Sequence, residues 1–261
     1  MSENAPELAS ELEIDRVNDH VVHLIINRPQ RHNALSAAVL SGLADYAERF
    51  NDDPDVRVVV LSGAGTKALV SGADIAELGN GIDGGRSTGH RRSMFPAAMP
   101  VIAMIRGYCI GGGLALALEA DLRIASEDAT FGVPAGRLGI AYPNDSVERL
   151  VGLIGAGESS RLLLTAERID AARALEIGLV NEVVPAADLE VRVRALTDAI
   201  AANAPLSLRA AKASVLSSIR GGREADRTAA ETLARICWAS ADFAEGRAAF
   251  AEKRPPRWTG R

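Results

Sequence analysis

Apolar residues recur at every second position in two stretches near the start of the chain, Glu11-Leu-Glu-Ile-Asp-Arg-Val and Val21-Val-His-Leu-Ile-Ile-Asn. This alternation on either side of Asn18-Asp19 predicts a β-hairpin, ended by Arg28-Pro29. The period then changes. Val39, Leu40, Leu43, Ala47 and Phe50 form one helical stripe, with Ser36 placed as N-cap and Asp52-Asp-Pro-Asp as the stop. Residues 56–61 and 100–105 are short unbroken apolar runs, the pattern of strands buried on both faces. Between them, residues 62–75 read as a glycine-punctuated loop entering a helix near Asp74. Residues 79–89 read as a glycine-rich mobile loop, and 90–98 as a helix.

The stretch Met104–Asp121 reads as strand, glycine turn and helix. Gly111, Gly112 and Gly113 permit a sharp turn with no Cβ in the way, and the Ala/Leu-rich run from Leu114 favours helix. Free N–H groups at such a turn could hold a phosphate or an oxygen that becomes negative during a reaction; a tight packing corner fits equally well. A strand is expected over 122–125 and another over 179–184. Asp170 is placed to cap a short helix ended by Gly178. Helices are expected over 186–202, 206–219, 223–238 and 242–252. Strands alternating with helices predict an α/β domain with right-handed crossovers.

Composition narrows the functions. A chain of 261 residues with 48% hydrophobic and 24% charged content can bury a full core. Its net charge of −5 argues against a nucleic-acid partner. Two cysteines, Cys109 and Cys237, make neither a disulfide framework nor a metal site. The polar, acidic start is unlike a signal peptide. No apolar run reaches the ~18 residues of a membrane span, so the cytoplasm is the expected location.

Phosphate-loop, His-Glu-x-x-His and Gly-x-Ser-x-Gly patterns are absent. His20, His23, His32 and His90 are not at metal-ligand spacings, and neither a metal nor a dinucleotide is expected. Two loop-to-helix junctions remain, Gly72-Ala73-Asp74 and Gly111-Gly112-Gly113. Each follows a buried strand, so both are expected at the C-terminal edge of one sheet, where ligands favour binding. Two backbone donors converging there could bind one oxyanion.

These residues carry a resemblance. Asn27-Arg-Pro-Gln-Arg-His-Asn-Ala-Leu-Ser36, Ser71-Gly-Ala-Asp-Ile75, Arg106-Gly-Tyr-Cys-Ile-Gly-Gly-Gly113 and Asp121-Leu-Arg-Ile-Ala125 are similar to motifs of the crotonase, or enoyl-CoA hydratase/isomerase, superfamily. So are Phe131-Gly-x-Pro134, Ala174-Leu-Glu-Ile-Gly-Leu-Val-Asn181 and the ending Glu245–Arg254. The resemblance implies an α/β fold, a crotonase-like spiral of βα units with a C-terminal helical trimerisation region. Residues 1–10 would be a flexible terminus, 11–199 the spiral core and 200–261 the oligomerisation region of a homotrimer or dimer of trimers. The implied ligand is an acyl-CoA thioester, coenzyme A entering as part of the substrate and no cofactor being held permanently. The N–H groups of Ala73 and Gly112 would hold the thioester oxygen. Arg28 and the Ala68 region would lie along the phosphates and adenine, with Ala34, Asp74 and Ile75 in the same contact set. Phe250 and Lys253, from a neighbouring subunit, would close over the coenzyme.

The chain departs from the family at the chemistry. Enoyl-CoA hydratases of this kind carry one glutamate two residues after the third glycine and another directly after the Phe-Gly-x-Pro proline. Here these are Ala115 and Ala135. A methyl group neither gives nor takes a proton, and general acid–base groups contribute about 10²–10⁴-fold each. Two carboxylates could substitute. Glu119 lies four residues after Ala115, one helical turn along the same face. Asp145 sits where some relatives place a catalytic aspartate, and equally where a helix N-cap belongs. Tyr142 and Arg137 are further candidates to line the pocket. Two functions stay open: an enzyme using the oxyanion hole with a substitute proton carrier, for isomerisation, decarboxylation or thioester cleavage, or an acyl-CoA-binding protein without chemistry. A structural oligomer with a vestigial pocket is the third reading.

Overall fold

The computed structural model describes residues 11–77, 94–95 and 98–261. The expectations for residues 1–10, the 79–89 loop and His90 lie outside them. So does most of the helix expected over 90–98, of which Met94, Phe95 and Ala98 are described, at bends and not in a helix.

The predicted hairpin forms from β1 (Leu12–Asn18) and β2 (Val21–Ile26), paired antiparallel. Asn18 closes it by accepting the N–H groups of His20 and Val21 on its side-chain oxygen, at 2.8 and 3.0 Å. Helix α1 (Ala37–Asp52) begins as read: Ser36 Oγ accepts the Val39 N–H at 3.1 Å, and Val39, Leu43, Ala47 and Phe50 are buried. Strand β3 (Val58–Gly63) then runs parallel to β2.

From here the chain lays strands alternately into two sheets. Strands β4 (Ala68–Val70), β6 (Tyr108–Ile110), β8 (Thr130–Gly132) and β9 (Arg168–Asp170) form a four-stranded sheet in that order. The larger sheet has the order β1, β2, β3, β5 (Val101–Ile105), β7 (Leu122–Ser126), β10 (Glu182–Val184). The pairs β3–β4, β5–β6 and β7–β8 thus wind as successive turns of a spiral. The smaller sheet was missed in the sequence, because three-residue strands are too short to show a period. The unbroken apolar runs are explained by the larger sheet. Val58 and Val60 pack with Leu189 and Val193 of α6 (Leu189–Ala201) on one face, while Val59 and Leu61 enter the main core on the other.

The remaining helices are α2 (Gly112–Ala117), α3 (Ala135–Leu138), α4 (Asn144–Thr165), α5 (Ala171–Glu176), α7 (Pro205–Ile219), α8 (Glu224–Trp238) and α9 (Ala241–Glu252). Asp170 caps α5 as read, accepting the Arg173 N–H at 2.8 Å. Helix α4 is broken at Gly155, whose φ of 75° and ψ of 167° are not helical. Helix α7 docks through Lys212, whose Nζ donates to Met99 O and Asp121 Oδ2, both at 2.8 Å. No helix among the described residues is long and apolar enough to cross a membrane.

Candidate active site

Strands β4 and β6 are parallel neighbours, so their C-terminal ends deliver Ser71-Gly72-Ala73 and Gly111-Gly112 to one edge of the smaller sheet. The two junctions do share a sheet edge, but of the sheet that the sequence did not reveal. The strand preceding the glycines is β6 and not the 100–105 run. Close approach depends on missing side chains. A Cβ on Gly113 would lie 2.4 Å from Val70 O, and Gly72 and Gly111 have φ of 132° and 54°.

Ala73 forms a parallel bridge with Leu35. Leu35 N–H donates to Gly72 O at 2.9 Å and Asp74 N–H to Leu35 O at 2.8 Å. In such a bridge the two peptides flanking Ala73 face Leu35, and Ala73's own N–H points the other way. Gly112 lies close by: a Cβ built on it would sit 3.3 Å from Ala73 N. Gly112 opens α2, where N–H groups have no intrahelical acceptor. Among the described residues, neither N–H is paired with an acceptor. With only six residues, α2 adds little dipole; what the junctions offer is two unpaired N–H groups on residues that lie side by side.

The other expected contacts are placed as follows. Arg28 spends its guanidinium on the protein: Nε meets Glu11 Oε1 at 2.8 Å, Nη1 donates to Ala34 O at 2.5 Å and Nη2 to Asp74 Oδ2 at 3.0 Å. The Arg28 hydrogen bond to Asp74 holds that carboxyl below its usual range. Both side chains brace the Ala73 loop from beneath. Ala34 and Ala68 are buried, whereas Ile75 is 68% exposed. Asn33 was not singled out in the sequence, yet it braces the connection between β3 and β4. It adopts φ 56° and donates to Ala64 O and Ala68 O at 3.0 and 2.8 Å. Its left-handed backbone, tolerated by asparagine, was the available signal. Phe250, 89% exposed, and Lys253, at the end of α9, make no hydrogen bond or ion pair to this edge among the described residues.

Ala115 is buried in α2, and Ala135 opens α3 half-buried against the core. Helix α2 ends at Ala117 with Leu118, still in helical conformation, as its cap, and Glu119 follows one residue on; its Oε2 is taken up by the Met94 N–H, which it accepts at 3.1 Å. Asp145 is exposed in the first turn of α4, and the N-cap position is held by Pro143. It therefore does not act as the cap. Three residues earlier, Tyr142 Oη donates to Gly111 O at 3.2 Å, which brings this segment against the glycine turn. Burial pushes the Cys109 thiol far up, so it stays a core side chain. Among the described residues no three His, Cys, Asp or Glu side chains are grouped to hold a metal ion.

Residues 16–261 match the family model described as enoyl-CoA hydratase/isomerase. A carnitinyl-CoA dehydratase of Proteus mirabilis is 36% identical over 250 residues, covering 92% of this chain and 95% of that one. A crotonyl-CoA hydratase of Syntrophomonas wolfei is 36% identical over 237 residues, covering 88% and 91%. The crystal structure of an enoyl-CoA hydratase from Mycobacterium tuberculosis superimposes with a TM-score of 0.87 at 32% identity, over 97% of this chain and 100% of that one. The chain belongs to the enoyl-CoA hydratase/isomerase family of the crotonase superfamily, and its α/β spiral is the crotonase fold.

Proposed function

We propose that this protein takes an acyl-CoA thioester and stabilises its enolate, the thioester oxygen accepting hydrogen bonds from Ala73 N–H and Gly112 N–H. The observation that supports this is the closeness of two unpaired donors, a Cβ built on Gly112 lying 3.3 Å from Ala73 N, with Ala73 N–H turned away from its bridge partner. As the α-carbon loses a proton or receives a nucleophile at its neighbour, negative charge grows on the oxygen. Fixed donors aimed there lower the barrier, each worth about 10²–10³ in rate. Coenzyme A arrives with the substrate, and Asp74 and Arg28 serve by rigidifying the Ala73 loop. Assembly into a trimer or a dimer of trimers would bring Phe250 and Lys253 of a second copy over the coenzyme.

Ordinary syn hydration is not the proposed reaction, since methyl groups stand at Ala115 and Ala135. Asp145, exposed and three residues from Tyr142, is the proposed proton carrier for isomerisation, decarboxylation or thioester cleavage. Glu119 is the weaker choice, because its carboxylate holds the Met94 N–H. The two methyls also favour a second reading, an acyl-CoA-binding protein without turnover. Isothermal titration with acyl-CoAs beside a crotonyl-CoA turnover assay separates these outcomes. Turnover abolished by Asp145→Asn supports the enzyme, binding with no turnover supports the cradle, and no binding refutes both. Hydration at the rate of a two-glutamate hydratase would refute the weight given to the alanines.

A further inference from the structure

Gly111 C=O and Gly112 N–H are the two ends of one peptide group, and the structure places a side chain on its oxygen end. Tyr142 Oη donates to Gly111 O at 3.2 Å, and the same oxygen accepts the Ala115 N–H at 3.0 Å. The direction is unambiguous, since a carbonyl only accepts. The peptide is planar and trans, so its N–H points opposite to its C=O. A donor pulling on the oxygen therefore does two things to the far end. It fixes the rotation of the plane, and it draws electron density toward the oxygen, which makes the N–H a stronger donor.

Restraint is needed at this position. Gly111, at φ 54° and ψ −114°, has no Cβ to limit how the following peptide turns. The preceding peptide is tied down by the Gly111 N–H bond to Gly132 O at 2.8 Å; the Gly111–Gly112 peptide is tied by Ala115 and Tyr142. The tyrosine ring is itself held, half-buried against the main core.

We propose that Tyr142 is a positioning residue of the oxyanion hole, its hydroxyl orienting and polarising the Gly111–Gly112 peptide so that Gly112 N–H pulls harder on a thioester oxygen. This rests on the acyl-CoA reading above. Tyr142 acts through the peptide and exchanges no proton with the ligand.

The test is spectroscopic. In 4-(dimethylamino)cinnamoyl-CoA an amino donor is conjugated to the thioester, so a stronger pull on the carbonyl oxygen moves its absorption to longer wavelength. The wild-type protein should red-shift the bound probe. Tyr142→Phe should bind it with similar affinity but with a red shift smaller by about 10–30%, the scale of hydrogen-bond cooperativity, while melting near the wild-type temperature. A purely structural role for the hydroxyl would lower the melting temperature and leave the shift alone. Placing 3-fluorotyrosine at position 142, measured with the phenol protonated, strengthens the donor and should enlarge the shift. That variant keeps the proposal testable should Tyr142→Phe fail to fold. A wild-type red shift that neither change alters overturns the role of Tyr142 alone. A wild-type protein that neither binds nor shifts the probe overturns the acyl-CoA reading, and this proposal with it.

Discussion

Gly113 is the spacer that sets the distance between α2 and β4, and Gly113→Ala should open the site. The added Cβ would lie 2.4 Å from Val70 O and 2.7 Å from Val70 Cβ. Non-bonded carbon contacts settle near about 3.5–4.0 Å, so helix and strand must part by about 1 Å. Strand β4 is held by its pairing with β6 and by the Asn33 bond to Ala68 O, so the displacement falls on α2 and carries Gly112 away from Ala73. Overpacking costs about 1–3 kcal/mol, offset by up to about 1 kcal/mol from replacing a helical glycine. The net loss of stability is modest, about 0–3 kcal/mol by those two figures. The loss at the site is larger, because a misplacement of about 1 Å can cost about 10²-fold in rate. Urea unfolding and the red shift of bound 4-(dimethylamino)cinnamoyl-CoA read the two effects separately. Gly157→Ala is the control: it lies in α4 with nothing within 4 Å of its built Cβ, and should be neutral or stabilising. A Gly113→Ala protein with wild-type stability and an undiminished red shift would refute this reasoning.

Three further outcomes are expected. Glu245 is held down at about 2, against an ordinary 4.5, by its hydrogen bond from Arg254 and then by the Arg257 N–H. A depressed carboxyl adds stability that is present above about 4.5 and lost as pH falls through about 2, so Glu245→Gln should lower the urea midpoint at pH 7 and match wild type in strong acid; an equal gap at both pH values would count against it. Lys212→Met leaves Asp121 and Met99 O without their ammonium donor, and should cost toward the lower end of about 3–5 kcal/mol in urea unfolding, since the Asp121 side chain keeps 26% exposure; a loss within error of zero would show that α7 docks by packing alone. Installing both family carboxylates, Ala115→Glu with Ala135→Glu, should raise crotonyl-CoA hydration by about 10²–10⁴-fold or more over wild type, and a folded double variant with no gain would mean that the pocket differs from that of the hydratases.

Local rules made much of the chain legible. The hairpin, the Ser36 and Asp170 caps and the doubly buried strands each rest on signals spanning a few residues: period, a capping oxygen, an unbroken Val/Ile run. The four short strands were not legible, because β4, β6, β8 and β9 exist only through pairing with segments far along the chain. The bond that occupies Glu119 was hidden for a related reason: its carboxylate meets the Met94 N–H, 25 residues back along the chain. The motif that carries Arg28 does not show its protein partners either: Glu11, Ala34 and Asp74 meet it through the fold.

By itself the sequence determined the family, the alternation of strand and helix, and the alanines at 115 and 135, where the resemblance expects carboxylates. Those depend on residue identity and short-range order, which a linear string carries in full. Only the tertiary structure decided that Gly72-Ala73 and Gly111-Gly112 end neighbouring strands of a second sheet, that Ala73 N–H faces away from Leu35, and that Tyr142 reaches back to the Gly111 carbonyl. Each is a meeting of segments about 30 or more residues apart, and the direction of a peptide N–H is set by hydrogen bonds across that distance, not by the residue that bears it.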